Sequence, residues 1–164
     1  MVVLAIDAEK MFPELGEYMK VLVSACLLGE NCKYNGKNNR NEAVLRFVED
    51  KEVISICPEL LTGLGAPRTP VELFGGRVVD REGKDRDALY RKGVEMALEQ
   101  IKDMDIDLAI LQSRSPTCGV RQIYDGTFTG RKIDGMGIFA RELKEQGIPL
   151  MDAEECEYES VRHR

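Results

Sequence analysis

The stretch "LAILQSRSPTCG", residues 108–119, decides the fold. Its first four residues form a continuous apolar run of strand length, as expected for a strand covered on both faces in a parallel sheet. The run then breaks at Gln112 into a segment with Pro116, Cys118 and Gly119, so a cysteine lies just beyond a strand end. Three other runs share this character: "VLVSA" (21–25), "VISI" (53–56) and "IPLMD" (148–152). Helical patterns separate them, over 41–51, 87–105 and 137–147, the last ended by Gly147 at a C-cap position. The resulting β-α-β-α-β-α-β order predicts an α/β fold, a Rossmann-like three-layer domain with a mainly parallel central sheet of about four to five strands. A short hairpin is expected over 76–85, with "REGK" as its turn.

The bounds agree with one domain. The chain has 164 residues, with 23 Lys and Arg against 29 Asp and Glu, for a net charge of -6. That balance gives no general attraction to phosphate backbones or anionic lipid, so bulk nucleic acid is disfavoured as a partner. No apolar run approaches the length of a membrane span and the N-terminus lacks the basic start of a secretory signal, so the expected location is cytoplasmic. Residues 20–156 read as the domain and 157–164 as a polar tail. Residues 1–19 read as an extension, either an added helix or an upstream start, because a domain beginning at Met19 would be complete.

Five cysteines, an odd count in a chain read as cytosolic, argue against a disulfide framework. No CxxC occurs and the single histidine, His163, lies in the tail, which removes zinc-finger spacing and a core Cys/His pair. On the strand assignment, Cys26, Cys57 and Cys118 all fall at the carboxyl edge of the sheet, where open parallel sheets bind ligands. The long loops at 27–39, 58–76 and 116–135 arise at the same edge. A single strand-end cysteine is commonly packing. Three at successive strand ends point to a shared metal or cluster, and thiolates without histidine favour an iron-sulfur cluster or thiolate-bound zinc or copper. Cys32 is a fourth ligand or a bystander, and Cys156 a filler.

Polar groups at the same edge have readable roles beside ordinary ones. Glu59 and Ser115 could exchange protons with a substrate, or be a loop acid and a capping hydroxyl. Arg68, between two prolines, suits a clamp on an anion or carbonyl, or an ion pair with Glu72. In "YDGTFTG" (124–130), Tyr124 and Phe128 could stack on a planar ring, with Asp125 and Gly126 beside them and glycine allowing close backbone approach.

Together, "VSACLLGENCKYNGKNN", "CPELLTGLGAPRTPVEL", "SPTCG" followed by "IYDGTFTG", and "GMGIFARELKEQGI" resemble the DUF523 family, whose characterised members are thiouracil desulfurases, or desulfidases. The resemblance runs from Lys20 to about Glu154. It implies a [4Fe-4S] cluster held by Cys26, Cys57 and Cys118, with a fourth iron that takes the sulfur of a thiocarbonyl substrate without net redox change. It places the family's acid at Glu59 and its serine at Ser115. The only departure within the motifs is "SPTCG" where "SPSCG" is common, a conservative change at Thr117. Some members carry a second domain and act on thiolated tRNA; here the expected substrate is a thiopyrimidine base, nucleoside or nucleotide. The alternative is a non-catalytic module that binds zinc or an iron-sulfur cluster.

Overall fold

The computed structural model describes residues 19–156, so the expected extension (bar Met19) and the polar tail lie outside the described residues. In chain order the elements are β1 (Lys20–Ser24), a 3-10 turn (Ala25–Leu28), α1 (Glu42–Phe47), β2 (Glu52–Ile56), a second 3-10 turn (Leu60–Thr62), β3 (Val71–Phe74), β4 (Arg77–Asp80) and α2 (Asp87–Ile101). There follow β5 (Leu108–Leu111), β6 (Gln122–Tyr124), β7 (Lys132–Asp134), α3 (Ile138–Glu145) and β8 (Leu150–Asp152).

The central sheet has four parallel strands in the order β2-β1-β5-β8. Its apolar runs are continuous because each face has its own core. Val21, Val23, Leu108, Ile110 and Met151 pack toward Ala43 and Val44 of α1. The alternate residues Leu22, Ala109 and Leu111 pack toward Val94, Ala97 and Ile101 of α2 and toward Phe139 and Leu143 of α3. Each buried Val, Leu, Ile, Phe or Met among these stabilises the fold by about 1.5–3 kcal/mol. The result is the expected α/β sandwich of three layers.

Local departures have physical causes. β2 is an edge strand, and Glu52, Val53 and Ser55 are exposed, so only part of "VISI" is covered. α1 has six residues, starting where the Asn41 side chain accepts the Val44 N–H at 3.1 Å. α2 stops at Ile101 rather than 105, before the acids Asp103 and Asp105, whose charge opposes the dipole at a helix C-terminus. In the expected hairpin, "REGK" does turn the chain, but it closes only a single bridge, Val79 to Asp85. The actual ladder lies earlier, β3 against β4 across Gly75–Gly76, and a second hairpin pairs β6 with β7. Among the described residues no helix is long and apolar enough to cross a membrane.

Two close contacts tie the helices to the sheet's carboxyl edge. At Gly93 of α2 a β-carbon would stand 2.5 Å from the Pro58 carbonyl oxygen, so the helix rests directly on the turn after β2. Gly93→Ala is expected to wedge these apart, with overpacking of about 1–3 kcal/mol exceeding the alanine's gain in helix propensity of about 1 kcal/mol. Thermal unfolding would show this as a lowered midpoint; an unchanged or raised midpoint would refute the contact. Gly137, before α3, would place a β-carbon 2.3 Å from the Thr117 carbonyl carbon. That closeness lets the loop carbonyls serve the helix: Ile138 N–H donates to Pro116 at 3.0 Å and Phe139 N–H to Thr117 at 2.9 Å. The "SPTCG" loop is thereby fastened to α3.

Candidate active site

The sheet order sets the site. The chain leaves β1 for β2 on one side and returns to β5 on the other, so the carboxyl ends of β1 and β5 diverge and leave a crevice at the switch point. A cavity of about 490 Å³ occupies this end of the sheet, and its wall includes Cys26, Cys32, Cys57 and Cys118. The thiols lie in the first turns beyond the strands rather than on them. Cys26 is in the 3-10 turn after β1, Cys57 directly follows β2, and Cys118 is carried back by the loop after β5. These are the three adjacent strands β2, β1 and β5.

Each thiol has a distinct surrounding. Asn39 grips Cys26 twice, its amide N–H donating to the Cys26 carbonyl at 3.0 Å and its side-chain nitrogen to Sγ at 3.4 Å. The buried Cys32 thiol reaches both Cys26 and Cys57. The single Cys32 proton favours the thiolate of one neighbour at a time: Cys26 is held below the usual thiol range, Cys57 is lowered to about 7 with help from the Leu60 N–H, and Cys32 itself is pushed up. Burial pushes Cys118 up to about 12, against the opposing effect of Ser24 and Thr117. Among the described residues no three His, Cys, Asp or Glu side chains are arranged to hold a single metal ion. A polynuclear cluster needs a wider arrangement, since each thiolate binds a different iron. Three thiols around one cavity, two of them inclined to ionise, fit such a cluster in donor chemistry.

A consequence can be read by alkylation. Since the thiolate is the nucleophile, iodoacetamide at neutral pH is expected to modify Cys57 and Cys26 of the metal-free protein well before Cys118 and Cys32. The Cys57 rate should climb as pH rises through about 7, where its thiol ionises. Peptide mass mapping that found Cys118 labelled first would contradict this order.

The polar residues form one connected wall. Glu59 Oε1 accepts from Arg68 Nη2 at 2.9 Å, and Oε2 accepts from the Thr117 hydroxyl at 2.9 Å. The Thr117 hydroxyl lies 3.0 Å from Ser115 Oγ, which also accepts the N–H groups of Thr117 at 3.1 Å and Cys118 at 2.9 Å. The Arg68 side chain is buried, donating to the carbonyls of Gly65 and Cys32 as well, both at 2.9 Å. Its partner is therefore Glu59, not Glu72. Close by, burial and the Glu59 charge push the Tyr90 hydroxyl up to about 12.

Tyr124 and Phe128 line the same cavity, and the Arg81 guanidinium stands 5.8 Å from the centre of the Phe128 ring. The loop bearing Phe128 is anchored by Glu72, which accepts the N–H groups of Gly126 at 3.0 Å and Phe128 at 3.1 Å. Asp125 and Gly126 are not on the cavity wall. Asp125 accepts from Thr127 N–H at 3.0 Å within its own loop. Gly126 packs against the Phe74 backbone, where a β-carbon would come within 2.7 Å of Cα. Asn39 went unnoticed in the sequence, Glu72 was considered only as a partner for Arg68, and Thr117 only as a conservative change from serine. Their position inside the long loops was the only signal for them. Cys156 packs in the core below the sheet, its Sγ 3.3 Å from Met151 Sδ.

Comparison with known proteins gives three findings. The family model described as 2-thiouracil desulfurase matches residues 21–155. The uncharacterized protein YbbK of Bacillus subtilis (strain 168) is 37% identical over 145 residues, covering 82% of this chain and 96% of YbbK. Among solved structures, the [4Fe-4S]-dependent thiouracil desulfidase TudS is similar with a TM-score of 0.77 and 32% identity, over 88% of this chain and 97% of TudS.

Proposed function

The chain belongs to the 2-thiouracil desulfurase family, DUF523, and from that premise we propose that it replaces the sulfur of a thiopyrimidine with oxygen from water, releasing hydrogen sulfide. 2-Thiouracil, 4-thiouracil and 4-thiouridine derivatives are the substrates of this reading. The observation that carries it is the opening of Cys26, Cys57 and Cys118 into the same cavity as Glu59 and Ser115.

In this proposal Cys26, Cys57 and Cys118 hold a [4Fe-4S] cluster. Bound by three thiolates, the cluster supplies an iron without a protein ligand, a Lewis acid for the thiocarbonyl sulfur. The protein's own residues do the rest. Tyr124 and Phe128 offer ring faces to a flat pyrimidine. The Glu59 carboxylate, aimed by Arg68, takes a proton from the water that adds at the thiocarbonyl carbon. Ser115, its oxygen polarised by two backbone N–H groups, gives a proton to the ring nitrogen or departing sulfur. One water enters and one hydrogen sulfide leaves, so no electrons are gained or lost overall.

The test is analytical. Anaerobic reconstitution of the full chain is expected to yield about four irons and four acid-labile sulfides per chain, with the brown colour of a cubane. A chain that takes up no iron would overturn the reading. A closed, non-catalytic site has one observation in its favour, the place of Cys32 on the same cavity wall as the other three cysteines; it requires Cys32 as a fourth ligand.

A further inference from the structure

The geometry points to Thr117 as a positioning residue whose hydroxyl joins Glu59 and Ser115 into one proton-conducting chain, an inference that rests on the desulfurase reading of the site. Thr117 is 2% exposed, and its hydroxyl stands between the two groups at 2.9 Å from Glu59 Oε2 and 3.0 Å from Ser115 Oγ. Its remaining polar neighbour, Cys118 Sγ, is more distant at 3.7 Å.

Counting donors and lone pairs fixes the direction of the bonds. An ionised Glu59 can only accept, so Thr117 spends its single proton on Oε2 and its oxygen is left to accept from Ser115. Ser115 is then fully used: two lone pairs take the N–H groups of Thr117 and Cys118, and its proton goes to Thr117. When Glu59 carries a proton taken from water, the chain runs the other way. Glu59 donates to Thr117, Thr117 donates to Ser115, and the Ser115 proton is released toward the substrate. As that proton leaves, the Ser115 oxygen has three lone pairs and faces three donors, namely two backbone N–H groups and the Thr117 hydroxyl. One proton enters at Glu59, one leaves at Ser115, and Thr117 ends with the proton count it began with.

The arrangement lets two groups from different loops share a proton. Glu59 follows β2, whereas Ser115 and Thr117 sit in the loop after β5, so the bridge spans both sides of the switch-point crevice. A purely structural role for Thr117, closing the loop onto α3, runs through its backbone carbonyl and not its hydroxyl. The two roles can therefore be separated by substitution.

Thr117→Val keeps the shape and removes the hydroxyl; Thr117→Ser keeps the hydroxyl and removes the methyl. For reconstituted full-length protein, Thr117→Val is expected to hold the wild-type iron and sulfide content and to bind the product uracil with wild-type affinity by calorimetry. Its kcat on 2-thiouracil should fall about 10²-fold with KM little changed, the scale of a lost general acid-base contribution. Thr117→Ser should restore kcat. The inference is overturned if Thr117→Val retains its kcat, if Thr117→Ser is as slow as the valine variant, or if the valine variant loses iron, which would assign the hydroxyl to the Cys118 loop. Wild-type protein that holds four irons yet releases no sulfide would instead defeat the desulfurase reading itself.

Discussion

Replacing Cys57 with alanine is expected to give a folded chain that retains no stable cluster and loses essentially all sulfide release. Cys57 follows an edge strand and is half-buried in the cavity wall, so the substitution leaves both faces of the core intact. The cost falls on the site, where two thiolates remain in place of three. Cys26→Ala and Cys118→Ala should behave alike, with Cys118 also opening a small void because that residue is buried in the core. Cys32→Ala is the informative contrast. If Cys32 is only a neighbouring thiol, that variant keeps about four irons per chain; loss of iron would make it a ligand and favour the closed, non-catalytic site. Iron analysis and visible absorbance after anaerobic reconstitution read all four variants.

Glu59→Gln is expected to lower kcat by about 10²–10⁴-fold while iron content stays at the wild-type level. The amide keeps the shape of the carboxyl but offers one accepting oxygen where Arg68 and Thr117 now use two. Because the Arg68 side chain is only 4% exposed, its guanidinium would also be left without a counter-charge. A stability loss of about 1–3 kcal/mol, seen in thermal melts, accompanies that change. Activity close to wild type would remove Glu59 from the proton pathway and leave it as the partner of Arg68.

The sheet and its cysteines were legible because both obey rules that act along the chain. Strands covered on both faces read as unbroken apolar runs, and the carboxyl-edge rule then places Cys26, Cys57 and Cys118 together without any knowledge of strand order. The order β2-β1-β5-β8 itself was not readable, since register is set by partners distant in sequence. The same holds for the three- and four-residue strands of the two hairpins, which are too short to show a period. Arg68 illustrates the limit for side chains. Its flanking prolines suggested a stiff loop, but only the fold brings it to Glu59, nine residues back. Thr117 looked like a neutral replacement of serine because the hydroxyl's two partners come from different loops. Gly126, read as allowing close backbone approach, makes that approach to Phe74, and Asp125 accepts from Thr127 within its own loop; neither lines the cavity.

The reaction proposed for this cavity exchanges sulfur for oxygen at a thiocarbonyl with no net electron transfer. The most direct test incubates the anaerobically reconstituted full chain with 2-thiouracil, without reductant, and measures uracil and sulfide together. Both are expected at the same rate and in one-to-one ratio over many turnovers. Cluster-loaded protein that forms neither product, or that forms them only with stoichiometric reductant, would contradict it.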